Sequence, residues 1–111
     1  MSFTSRKDKK GVLVVSVEGQ LVVGNRQEFK ESVLTALEGG ERKFLVDFSE
    51  TGYIDSSGLG VLVSLSKKIR DEGGDLRLAG LNEDLRTLFE LTKLDTLFAI
   101  SDSPADALAA F

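Results

Sequence analysis

The stretch Tyr53-Ile54-Asp55-Ser56-Ser57-Gly58-Leu59-Gly60 gathers the side chains most able to do chemistry: a carboxylate, two hydroxyls on adjacent residues and two glycines, just before a long apolar run. Three uses fit that order of residues. One oxygen of Asp55 or Ser56 could cap a helix by accepting a hydrogen bond from a first-turn amide. A serine could act as a nucleophile if a base stood beside it. A serine at an open helix start could also carry a phosphate ester, because first-turn amides and the positive end of the helix dipole tolerate an anion there.

Composition removes most of the catalytic options. The 111-residue chain contains no histidine and no cysteine. A Ser-His-Asp hydrolase, a histidine-ligated zinc site, thiolate chemistry and disulfides are therefore ruled out. A hydrolase using Ser56 with Asp55 or Lys67 as base would need a pocket and an oxyanion site, and Lys67 lies several helical turns away. No glycine-rich phosphate loop carrying a lysine is present, so no nucleotide or other cofactor, and no metal, is expected on this chain.

The cap alone leaves features unexplained. A cap uses one oxygen, whereas three adjacent residues offer one. Glycine inside a helix costs up to about 1 kcal/mol relative to alanine, and Gly58 and Gly60 both fall in the first turns. A phosphate at Ser56 would add roughly −1.5 to −2 charges next to Asp55, not far in sequence from Asp47 and Glu50. That is enough to repel a docked partner without refolding the domain.

The elements that must position this stretch can be read from periodicity. Residues 12–18, preceded by the turn Lys9-Lys10-Gly11, form a strand expected to pair with residues 2–7 as a hairpin. The cluster Arg6, Lys7, Lys9 and Lys10 is then a solvated hairpin turn. Asn25, with Glu28 three places on, has capping-box spacing for a helix whose stripe is Phe29, Val33, Leu34 and Leu37, closed by Gly39-Gly40. Residues 43–48 read as a central strand, and 49–54 as the loop that follows it. A helix is expected from Ser57 to about Glu72, with Leu59, Val61, Leu62, Val63, Leu65 and Ile69 on its apolar face. Residues 75–80 alternate as a strand, and 82–92 form a helix with Leu85, Leu88 and Phe89 inward. Residues 96–100 are the next strand, and Ser103 caps a last helix with Pro104 at its first position. Phe44, Phe48, Phe89 and Phe98 are expected in the core. Lys67-Lys68 and Glu41-Arg42 are expected at solvated faces and helix ends.

Alternating strands and helices with short connections predict an α/β domain with helices on a mixed, mostly parallel sheet. The length, with 41% hydrophobic and 29% charged residues, suits one domain, residues 1–111. A net charge of −4 argues against nucleic acid or an anionic membrane as partner. The polar start and the absence of any apolar run near the roughly 18 residues of a membrane span predict a cytoplasmic protein.

At this point the chain resembles a known family. The run from Val46 to Leu108, with "IDSSGLG" opening a helix, then "GGDLRLAG" and a helix carrying "TLFEL", is similar to the STAS domains, and specifically to the single-domain bacterial anti-sigma-factor antagonists. The resemblance extends back to "GVLVVSVEGQL". It implies a sheet of four to five strands with about four helices mainly on one side, and a regulatory protein rather than an enzyme.

It further implies partner switching. The unphosphorylated antagonist binds an anti-sigma factor that is also a serine kinase and so frees the sigma factor. The kinase uses ATP to phosphorylate the serine after the motif aspartate, which breaks the complex, and a metal-dependent serine phosphatase restores it. Carried onto this chain, the acceptor is Ser56, with Ser57 as fallback. Asp55, Ser57, Gly58, Leu59 and Gly60 are the expected partner-binding residues, on a monomer or weak dimer. Val22 stands where the family often has an aspartate, in "GQLVV" rather than "GELD", which bears on partner choice. The alternative is an unmodified STAS subunit that docks in a lipid-transport or transporter-associated complex.

Overall fold

A computed structural model describes residues 2–111, and the elements it shows follow the predicted alternation closely. β1 (Ser2–Lys7) and β2 (Leu13–Leu21) form the expected antiparallel hairpin, with Arg6 opposite Val14 and Lys7 opposite Leu13. The turn is built by Asp8, whose Oδ1 accepts from the Lys10 and Val12 amides at 2.9 Å each, and by Gly11 at φ 82°. A left-handed residue at that point is why the turn ends in glycine.

From β2 onward every strand pairing is parallel. α1 (Arg26–Glu38) leads to β3 (Lys43–Asp47), which pairs with β2, and α2 (Ser56–Asp71) leads to β5 (Asp75–Ala79), which pairs with β3. α3 (Glu83–Leu91) then leads to β6 (Ile100–Ser101), beside β5, and α4 (Pro104–Ala110) closes the chain. The order across the sheet is β1-β2-β3-β5-β6. The mixed, mostly parallel sheet with four helices is the predicted architecture.

The sixth strand is a finding. Residues 51–54, expected as loop, are β4 (Thr51–Ile54), which pairs with the far end of β2: Gly19 with Thr51, Gln20 with Tyr53, Leu21 with Ile54. β2 thus pairs with β3 along residues 13–16 and with β4 after a register shift between Gly19 and Gln20. The buried Thr51 hydroxyl, bonded to the Val17 carbonyl at 2.6 Å, and the Gly19 amide, bonded to the Glu50 carbonyl at 3.0 Å, hold β4 there. Sequence periodicity missed this strand because Gly52 and Tyr53 are both exposed, so a four-residue strand shows no alternation.

The strand expected at 96–100 is shorter and later than predicted. Leu94–Thr96 is a 3₁₀ turn, entered through left-handed Lys93, and only Ile100 and Ser101 join the sheet. The capping box at Asn25 does not form either. Asn25 occupies the cap position, but its side chain turns back to the preceding loop, as described below.

The two faces of the sheet are covered unequally. On one side α1, α2 and α3 bury Phe29, Val33, Leu37, Leu62, Leu65, Ile69, Leu85 and Phe89 against Val15, Val17, Phe44, Val46, Leu76 and Leu78. Phe44, Phe48, Phe89 and Phe98 are all buried, as predicted. Leu34 and Leu88 lie at the margin. On the other side only α4 packs, with Ala107 against Val12, Val14, Leu45 and Ala79. Its start is the one predicted: the Ser103 hydroxyl accepts from the Asp106 amide at 3.1 Å and Pro104 takes the first position. Arg42 donates to the Leu37 carbonyl at 2.9 Å at the end of α1, an acceptor it shares with the Gly40 amide, while Lys67 pairs with Asp71 in solvent.

Candidate functional site

Parallel pairing of β2 and β4 decides where the motif stands. Because Leu21 and Ile54 are opposed, the segments that leave the two strands, 22–25 and 55–56, emerge side by side at the same end of the sheet. Carboxyl ends of parallel strands are where α/β sheets place their sites.

Asp55 binds the two segments together. It is the N-cap of α2, with extended φ/ψ of −91° and −179°, and its Oδ1 accepts from the Gly58 amide at 2.8 Å. Its Oδ2 accepts from the Val23 amide, 32 residues earlier, at 3.0 Å. Its own amide donates to the Leu21 carbonyl at 3.2 Å. The Gly58 amide is the main reason its carboxyl titrates below the ordinary value; loss of water opposes the shift, and the Val23 and Ser57 amides and the charge of Arg26 add to it. The carboxylate therefore stays ionised and both its oxygens are engaged by backbone.

Asn25 completes the loop. Its Oδ1 accepts from the Val22 amide at 2.8 Å and its Nδ2 donates to the Gln20 carbonyl at 2.8 Å. The Val22 carbonyl in turn accepts from the Asn25 and Arg26 amides at 3.0 and 2.8 Å. Val22 lies just beyond the end of β2, half-buried in this turn rather than in the strand.

Ser56 is the first residue of α2, one earlier than the sequence suggested. It is exposed, and its hydroxyl makes no hydrogen bond among the described residues. Ser57 is half-buried. With Asp55 as the cap, Ser56 is left free by the same geometry that fixes the backbone beneath it.

The two glycines have different reasons. Gly58 was expected among partner-contact residues, but it is buried: a Cβ there would run into the Leu21 carbonyl oxygen and come within 2.9 Å of Ile54 Cγ2. Its missing side chain lets α2 close on the end of β2. Gly60 is exposed, and a Cβ there would meet nothing within 4 Å.

The apolar residues near the motif also sort differently from expectation. Val61 and Leu62 are buried, as their place on the apolar face of α2 predicts, and Leu59 is half-buried. Val63, assigned to the core, is 37% exposed, three and seven residues along the helix from Gly60 and Ser56 and therefore on their face. Val23 and Tyr53, which sequence reasoning did not single out, are 65% and 57% exposed. The only tyrosine in the chain, placed directly before the motif, was the available signal for Tyr53.

A family model for the STAS domain matches residues 5–107. The chain belongs to the STAS domain family. Among its relatives, the anti-sigma-B factor antagonist of Bacillus subtilis is 30% identical over 95 residues, covering 86% of each chain. The crystal structure of the protein TM1081 of Thermotoga maritima superposes with a TM-score of 0.91 at 29% identity, over 97% of this STAS chain and 92% of that one. The anti-sigma factor antagonist SpoIIAA shares the fold, with TM-scores of 0.76 in its unphosphorylated form and 0.77 in its phosphorylated form, at 16% and 17% identity and over 98% of this chain. The matches take in 96% and 98% of those SpoIIAA chains.

Among the described residues of this STAS domain, no group of histidine, cysteine, aspartate or glutamate side chains could hold a metal ion. No helix among them is long and apolar enough to cross a membrane.

Proposed function

We propose that this chain is a single STAS domain acting as a cytoplasmic anti-sigma-factor antagonist, a binding module that works by partner switching and performs no catalysis of its own. In the unmodified state it binds an anti-sigma factor that is also a serine kinase, and the sigma factor is released. The kinase transfers the γ-phosphoryl group of ATP to Ser56 Oγ, the hydroxyl proton leaves, ADP departs, and the complex breaks. A metal-dependent phosphatase returns the chain to its binding state.

The observation that carries this reading is the free hydroxyl of Ser56 at the exposed start of α2, on a backbone already fixed by Asp55. The names of the relatives support the antagonist role, and SpoIIAA, which shares the fold, has been solved in an unphosphorylated and a phosphorylated form. The contact surface is the rim around Ser56, with Leu59, Gly60, Val63, Tyr53 and Val23, the apolar members giving affinity and the serine the veto. Phosphate there adds roughly −1.5 to −2 charges to a surface that must be desolvated on docking, which is costly unless the partner supplies a cation. Asp55 contributes by holding the surface in shape.

The test is to incubate the protein with ATP and the anti-sigma-type kinase from the same genome, and to map added phosphate by mass spectrometry. One phosphate on Ser56 is the expected result. Ser56→Ala should keep the fold and stay bound to the kinase, whereas Ser56→Asp should fold and bind weakly. An active kinase that forms a complex yet leaves Ser56 unmodified would sink the switch, and would favour an unmodified docking subunit of a transport-associated complex.

A further inference from the structure

Arg26 is the first residue of α1, where the helix dipole disfavours a cation, and it is exposed. Among the described residues its guanidinium has no ion pair and no hydrogen bond. Position 22 in the same turn is valine, so the turn itself supplies no acid beside it. An unpaired arginine at an unfavourable position needs a reason.

Its backbone gives the placement. The Arg26 amide is bonded to the Val22 carbonyl at 2.8 Å, and the next residue of that turn, Val23, is bonded through its amide to Asp55 Oδ2 at 3.0 Å. Ser56 follows Asp55 directly. The start of α1 and the start of α2 are thus joined through one carboxylate, and the Arg26 charge is felt at Asp55. Asp55 itself is occupied by two amides and leaves Arg26 uncommitted.

We propose that Arg26 is the receptor for the phosphate on Ser56, a guanidinium held ready one loop away that closes on the modified side chain with charge-assisted hydrogen bonds. This rests on the partner-switching reading of Ser56. Arginine suits the task because its planar fork matches two phosphate oxygens at once. The pairing draws the phosphate onto the protein's own surface and stabilises the dianion against Asp55 beside it. The modified state is then held by an attraction within the chain as well as by repulsion of the partner.

The experiment installs phosphoserine at position 56 by site-specific incorporation, so that it does not depend on the kinase, and follows its second ionisation by ³¹P NMR. The midpoint should be lower in the wild-type background than in Arg26→Gln by about half a unit or more, since a nearby cation favours the dianion. Arg26→Lys should retain part of the shift, and Lys67→Gln, a charge change further along α2, should leave the midpoint where it was. The Arg26 Nε–H resonance should move and exchange more slowly only when phosphate is present. Equal midpoints for wild type and Arg26→Gln, or an equal displacement by Lys67→Gln, would overturn the inference. A parallel incubation of the unmodified protein with the kinase separates the two claims: a kinase that ignores Ser56 defeats the switch, whereas coincident midpoints with a working kinase defeat only the role of Arg26.

Discussion

Two glycines two residues apart in one helix should respond to alanine in opposite directions. At Gly58 the added Cβ would come against the Leu21 carbonyl oxygen, 2.9 Å from Ile54 Cγ2 and 3.1 Å from the Leu21 carbonyl carbon. Two of those atoms are backbone of β2, held at Leu21 by its pairing with Ile54 and by the Asp55 amide on its carbonyl, so α2 must lift rather than the neighbour yield. Overpacking of this kind costs about 1–3 kcal/mol, against which the better helix propensity of alanine returns about 1 kcal/mol at most. The net loss is therefore up to about 2 kcal/mol. At Gly60 nothing stands within 4 Å, and only the gain of up to about 1 kcal/mol remains. In a domain of this size each kcal/mol moves Tm by several degrees, roughly 4–8 °C. Urea titration and thermal melting of Gly58→Ala, Gly60→Ala and wild type should place them in the order Gly60→Ala, wild type, Gly58→Ala. A Gly58→Ala protein as stable as wild type would refute the packing argument, and with it the claim that this glycine serves the interior rather than the partner.

Asp55→Asn should be less stable than wild type at neutral pH, because an amide NH₂ would face the Val23 N–H in place of an acceptor. Since the folded protein lowers the Asp55 value below the ordinary 3.8, its contribution is present above that value and lost as pH falls through the folded one. The gap in Tm between the two proteins should accordingly be full at pH 7 and shrink below about pH 4, with a gap independent of pH counting against the argument. Asn25→Ala removes the bonds to the Val22 amide and the Gln20 carbonyl and should cost about 1–2 kcal/mol, with amide exchange quickened at Val22 and Val23; unchanged exchange there would show the loop to be held by something else.

The sequence was most informative where one force acts alone. Apolar periodicity placed α1, α2 and α3, and the phenylalanines fell into the core, because burial along one helical stripe leaves a repeating trace. Ser103 and Pro104 marked the start of α4 because cap chemistry is local. Less was legible where a side chain serves distant backbone. Asn25 has a helix-cap spacing, yet it is recruited by Gln20 and Val22, and nothing in its neighbours announces that. β4 is held by pairing with β2, across more than thirty residues, rather than by its own pattern. The motif itself was visible, but the division of labour within it was not: that Asp55 is the cap and Gly58 an interior contact follows only from the return of β4 to Leu21.

The unequal dressing of the sheet has a practical side. Val12, Val14, Leu45 and Ala79 are shielded on the far face chiefly by seven residues, Pro104–Ala110, held by Ala107, by the Lys10 ammonium on the Leu108 carbonyl and by Arg77 lying over the Phe111 ring. A chain clipped before Pro104 by a protease would keep the rim around Ser56 and its hydrogen bonds, yet present bare aliphatic surface to the solution. Such patches drive association. The shelf life of the protein, and its freedom from clumping at high concentration, thus depend on a short helix remote from Ser56.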